Sequence, residues 1–180
     1  MTVQIGAKTH SFTDPTGLLS DCHRRVETFL KTLQTVAAVM DGPATREITQ
    51  ALESSLHYFQ QAAPKHTADE EESLFPRLRQ IDDPEIANAF SKLDQLEDDH
   101  QWAAPLHQTV ERLGRRYVLD GALSPTEALE FRNSVASLAA MYQRHIAVED
   151  ELIFPLASRL LSKDEKAAIA KEMAMRRMSH

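Results

Sequence analysis

The sequence predicts an all-α fold: an up-down-up-down four-helix bundle with a short extra C-terminal helix. Three observations carry that expectation. Ala and Leu supply 43 of the 180 residues against 15 for Val and Ile, a balance that favours helix over sheet. Five helix-start signals divide the chain into four long segments and one short one. Within the long segments apolar residues recur at alternating three- and four-residue spacings, the pattern of a bundle core.

Residues 1–14 are expected to be an extended N-terminal arm, and 15–161 the bundle. Helix A, read as 15–40, opens at Asp14-Pro15, a capping residue followed by Pro at the first helical position. Its core stripe is Leu19, His23, Val26, Leu30, Leu33, Ala37 and Met40. Helix B, 43–80, opens at Pro43 after Asp41-Gly42 and carries Phe59, His66, Glu70 and Leu74 on one face. Helix C, 84–119, opens at Asp83-Pro84-Glu85 and aligns Leu93, His100, Ala103 and Val110. Helix D, 125–161, opens with the capping box Ser124 to Glu127. Its stripe is Val135, Leu138, Tyr142, His145, Glu149, Leu152 and Leu156. A second box, Ser162 to Glu165, starts short helix E, 163–176, within a C-terminal segment of 162–180. The loops between the long segments are short, which favours antiparallel neighbours in one domain.

Composition narrows the function. The formal charge of −7 gives no basic face for a nucleic acid, and Arg176-Arg177 is the one locally basic spot. No apolar stretch is long enough to span a membrane, so no membrane partner is expected. The first residues lack the basic and apolar regions of a signal peptide. The single Cys22 excludes an intramolecular disulfide, and a cytoplasmic protein is expected. Eight histidines in an acidic chain point instead to cations.

A repeat carries the functional signal. His66-Thr-Ala-Asp-Glu70-Glu-Glu-Ser-Leu-Phe-Pro76 matches His145-Ile-Ala-Val-Glu149-Asp-Glu-Leu-Ile-Phe-Pro155 at an offset of 79. His23 and His100 obey nearly the same offset, 77. The chain therefore reads as a helical hairpin and its copy, each with one lone histidine and one HxxxE. Residues four apart share a helix face about 6 Å apart along the axis, so each His–Glu pair reaches one point. A lone HxxxE is ordinarily a solvated helix pair, and a lone core histidine is ordinarily just hydrogen-bonded. Here four histidines fall on core stripes in duplicated register. Buried carboxylates without partners are costly, and a bound cation removes that cost. Nitrogen and oxygen ligands without thiolate suit Fe, Mn or Zn.

Other candidates receive blander readings. Glu71, Glu72, Asp150 and Glu151 read as solvated acidic faces. His57 lies off the His66 face, and His107, two turns from His100, reads as a core residue or one that supports the ligands. Cys22 reads as a buried free thiol. Pro76 and Pro155 are expected to bend their helices beyond the site.

The paired H…HxxxE-E/D-x-x-L/I-F-P pattern resembles the hemerythrin-like (HHE) cation-binding domain family over about 15–161. The resemblance implies a bundle holding a non-haem di-iron centre. Its ligands would be His23, His66, Glu70, His100, His145 and Glu149, with Glu70 and Glu149 bridging the irons. The oxygen carriers of that family bind O2, and the smaller ligand set of this chain, which leaves more coordination positions open, also admits nitric oxide or peroxide. The oxygen carriers of that family have a second histidine one turn after the one on helix C, where this chain has Ala104 followed by Pro105. Glu27, Asp98 and Asp99 are candidates for an extra oxygen ligand.

A ferritin-like di-iron site needs Glu-x-x-His twice. It fits once at Glu97 to His100 and fails at Tyr142. A zinc hydrolase needs an open site with a base beside it, which suits a bundle core poorly. A structural or regulatory role around a single redox-inert cation is the alternative from another class. In it, helix E and the basic tail would form a working surface for homodimerisation, and the cation would tie folding to metal.

Overall fold

A computed structural model describes residues 13–178. The remainder of the predicted arm, with His10, and the terminal His180 lie outside the described residues. Among the described residues the chain is helical throughout and contains no strand. The elements are α1 (Pro15–Val39), α2 (Arg46–Gln61), α3 (Ala63–Ala68), π1 (Asp69–Leu74) and α4 (Phe75–Leu78). They continue as α5 (Pro84–Asp120), α6 (Pro125–Val148), π2 (Glu149–Ile153), α7 (Phe154–Leu160) and α8 (Lys163–Met178).

The starts follow from side-chain capping. Asp14 Oδ1 accepts from Gly17 N at 3.1 Å. Asp83 Oδ1 accepts from Glu85 N at 2.8 Å. Both capping boxes close in full: Glu127 takes the Ser124 N–H at 3.1 Å while Ser124 Oγ takes the Glu127 N–H at 3.3 Å, and Ser162 with Glu165 repeats the pattern. Hydrogen bonds from Ser124 and Ser162 hold the Glu127 and Glu165 carboxyls below the usual range. Gly121 ends α5 with φ +77, a left-handed cap that a β-carbon would strain.

Segment B departs from the expectation in three ways. Its helix starts after Thr45 rather than at Pro43, because the Thr45 hydroxyl accepts from Ile48 N at 3.3 Å and Pro43 has no such group to offer. The helix breaks at Ala62, two residues before Pro64, whose ring nitrogen cannot donate to the turn behind it. It then widens into π1. Segment D widens likewise into π2. In each wide turn a phenylalanine N–H reaches back five residues: Phe75 to Glu70 O, and Phe154 to Glu149 O. Pro76 and Pro155 follow immediately. Proline offers no N–H and clashes with the carbonyl four residues back, and a turn one residue wider moves that carbonyl away. The prolines therefore stand at the end of the wide turns that begin at or just before the glutamates.

The extra residue shifts the buried register. Leu152, predicted on the core stripe, is 38% exposed, and Ile153 is buried in its place at 1%. In segment A the prediction holds: the six stripe residues of α1 and Met40 just past its end are all buried.

The chain divides into two compact units. The first comprises the described residues up to Arg25, Pro64–Glu97, and those from His145 onward. Leu19, Leu74, Phe75, Leu93, Phe154 and Met173 fill its core. The second comprises Val26–Ala63 and Asp98–Arg144. It buries Leu33, Leu52, Leu113, Tyr117 and Phe131, and Gly114 lets α5 approach α2, since a β-carbon there would stand 2.9 Å from Leu56 Cδ1. No helix of the described residues is long and apolar enough to cross a membrane.

Candidate metal centre

Five of the six predicted ligands meet inside the first unit. α3 and π1 place His66 Nε2 3.0 Å from Glu70 Oε1. α6 and π2 place His145 Nε2 3.2 Å from Glu149 Oε2. α1 brings His23 between the two carboxylates, with Nε2 3.1 Å from Glu149 Oε2 and 3.9 Å from Glu70 Oε1. The His23 ring stacks on Phe154, centroids 5.2 Å apart, and meets the His66 ring edge-on at 5.0 Å. All five residues are buried, and both glutamates are 0% exposed. Ligand atoms of His23, His66, Glu70 and Glu149 all lie within 4.8 Å of one another.

The sixth residue, His100, is half-buried on α5 beyond Glu97, where that helix passes into the second unit. Ala104, at the position where oxygen carriers have their additional histidine, is exposed.

The electrostatics of the cluster are unbalanced without a cation. His23 Nε2 and both Glu149 oxygens are buried, and the polar contacts they make, 3.1 Å to each other and 3.2 Å from Glu149 to His145, are poorly aligned. Burial, followed by the charge of Glu149, pushes the Glu70 carboxyl well above its usual range. Burial acts on Glu149 in the same direction, but hydrogen bonds and charge from His145 and His23 outweigh it and hold that carboxyl low. Burial lowers His23 too, yet its bonds to Asp150 and Glu149 win and lift it to about 9. Imidazole nitrogens and carboxylate oxygens converging without thiolate fit Fe, Mn or Zn.

Asp150 is part of this arrangement, contrary to its expected place on a solvated face. Its Oδ1 lies 3.0 Å from His23 Nδ1 and accepts from Ser20 Oγ at 2.6 Å, while Oδ2 accepts from Arg24 Nη2 at 2.7 Å. With Nδ1–H donated to Asp150, the neutral form of His23 would present its Nε2 lone pair to a cation at the centre. The bond to His23 overcomes the burial penalty and lowers the Asp150 carboxyl. In a single sequence Asp150 looks like its counterpart Glu71. The available signal was Ser20 and Arg24, which flank His23 four residues apart on α1.

Asp69 was also missed. It is fully buried and bound by Arg176 and Arg177 of α8. The two arginines expected to make a basic surface are therefore turned inward. Of the candidate extra ligands, Glu27 and Asp98 are exposed, outside any buried centre, and Asp99 is half-buried. Cys22 is half-buried, and burial pushes its thiol up. His57 is exposed. Within the second unit His107 Nε2 lies 3.0 Å from Tyr142 Oη and its ring packs on Phe59, in line with a core role, and burial takes it down to about 4.

Comparison with known proteins adds two findings. The sequence model of the Hemerythrin HHE cation binding domain matches residues 14–157. The chain is also similar to a protein of Haemophilus influenzae described as an uncharacterized protein. The two are 27% identical over 168 residues, covering 93% of this chain and 92% of the relative.

Proposed function

The chain belongs to the hemerythrin HHE cation-binding domain family, and from that premise we propose that it holds a non-haem di-iron centre that reacts with or senses a small ligand: O2, nitric oxide or peroxide. The observation that carries this reading is the pair of fully buried glutamates, each within about one hydrogen-bond length of an imidazole nitrogen, with His23 shared between them. His23, His66, Glu70, His145 and Glu149 would hold the ions. His100, the counterpart of His23 in the sequence repeat, would complete the set. Iron bound there would supply one-electron redox chemistry and coordination positions open to a small molecule. The chain's own residues do the rest. Asp150 fixes the His23 tautomer. Phe154, stacked on His23, walls that side of the site with apolar surface and excludes water there. The histidines give up protons on loading, because a ligating imidazole must be neutral.

Elemental analysis of protein purified without added metal tests this, paired with optical spectra of the reduced form before and after O2. About two irons per chain and a new charge-transfer band support the proposal. One redox-inert metal and no spectral change would favour the alternative, a structural or regulatory cation site with zinc or manganese.

A further inference from the structure

α8 lies beyond the residues that the family's sequence model matches, yet it closes over the wide turn that carries Glu70. Asp69, the residue before Glu70, is 0% exposed, and each of its oxygens takes a different arginine of α8. Arg176 Nη1 donates to Oδ1 at 2.9 Å and Arg177 Nη2 to Oδ2 at 2.6 Å. Arg176 Nη2 also donates to Ser73 Oγ at 2.8 Å and to Glu72 at 3.1 Å. One guanidinium therefore grips π1 near both of its ends. Arg177 is itself steadied by donating to Met173 O at 2.7 Å.

A buried carboxylate bound by two guanidiniums cannot turn without leaving a buried charge uncompensated. The backbone at Asp69 is thereby fixed, and with it the direction in which Glu70 leaves the helix. The same bonds offset the negative charge that Asp69 would otherwise add beside Glu70. The second half of the repeat has no such device: Val148 stands where Asp69 stands, and π2 is tied to α1 through Asp150. The seat of α8 is narrow. Ile169, Ala170 and Met173 are its buried residues, and a sixteen-residue helix has little stability of its own. Its docking depends on what it grips.

We propose that α8 is a latch for the ion at Glu70. Arg176 and Arg177, acting through Asp69 as positioning residues, hold Glu70 in its ligating direction, so docking of α8 and retention of the ion stabilise each other. This rests on the metal reading above. Coupling between two sites is reciprocal, which supplies two independent readouts.

The test loads the full chain anaerobically with ferrous iron and follows release to a chromogenic chelator. The variants are R176Q/R177Q and D69N. D69N keeps the side-chain shape and removes the fully buried charge, leaving two partly exposed arginines that water can reach, and circular dichroism checks the fold of both variants. The latch predicts release roughly tenfold faster from each variant, within the range of ordinary coupling. It also predicts that iron slows trypsin cleavage of the parent at Lys166 and Lys171. Parent-like release from D69N, or cleavage indifferent to iron, overturns the latch alone. A parent that takes up no iron overturns the metal reading and the latch with it.

Discussion

His23 is the residue on which the site turns, because it faces both carboxylates on one side and Asp150 on the other. A histidine anchored through Nδ1 keeps its Nε2 lone pair aimed at a cation, and removing such an anchor typically costs 10–100-fold in metal affinity. Asp150→Asn is therefore expected to weaken iron binding by about tenfold or more. Chelator competition checks this, and an unchanged affinity would mean that stacking on Phe154 alone orients the ring. His23 and the two HxxxE pairs were legible in the sequence because spacing alone puts them on core faces. Asp150 and Asp69 were not, because runs of acidic residues beside each glutamate look alike until the arginines and the serine that reach them are known.

At the scale of elements, the two wide turns decide the direction of the glutamates. Each starts at or just before its glutamate and ends just before the Phe-Pro pair. Proline within a continuous helix costs about 3 kcal/mol, and the wide turn absorbs that strain. Replacing Pro76 and Pro155 together by alanine restores two N–H donors and lets the ordinary α register compete. The expected result is metal affinity lower by about tenfold with metal-free stability equal to or above the parent, since the ordinary α register regains the hydrogen bond that each proline denied it. Affinity and urea-midpoint measurements separate the two effects. Parent-like affinity would assign the wide turns to core packing around Ile153 and Leu74 and not to the prolines. The periodicity of the sequence missed these turns because it assumes 3.6 residues per turn throughout. The Phe-Pro that follows both glutamates was the visible trace of the extra residue.

At the scale of the whole molecule, stability should depend on pH through His107. Burial holds it at about 4 in the fold, below the 6.5 of an exposed histidine. The folded state therefore resists protonation that the unfolded chain accepts. Its stabilising contribution is complete above pH 6.5 and is lost progressively as pH falls towards 4, by about 3 kcal/mol in all. Metal-free protein should lose stability between pH 7 and 4.5 more steeply than His107→Gln does, by about 2 kcal/mol. Parallel urea-midpoint curves for the two proteins would show that His107 is protonated in the fold or solvated through it.

The sequence by itself determined the helical class, four of the five helix starts, the buried stripe of α1 and the five residues that converge in the first unit. Those features depend on interactions within a few residues: caps, turns and the repeat of one helix face. Only the tertiary structure decided that Ile153 replaces Leu152 in the core and that Asp150 serves His23. It also turned Arg176 and Arg177 inward onto Asp69. Each of these depends on which distant element lies opposite, and a charge at a given position reads the same in the sequence whether water or a guanidinium 107 residues away will meet it.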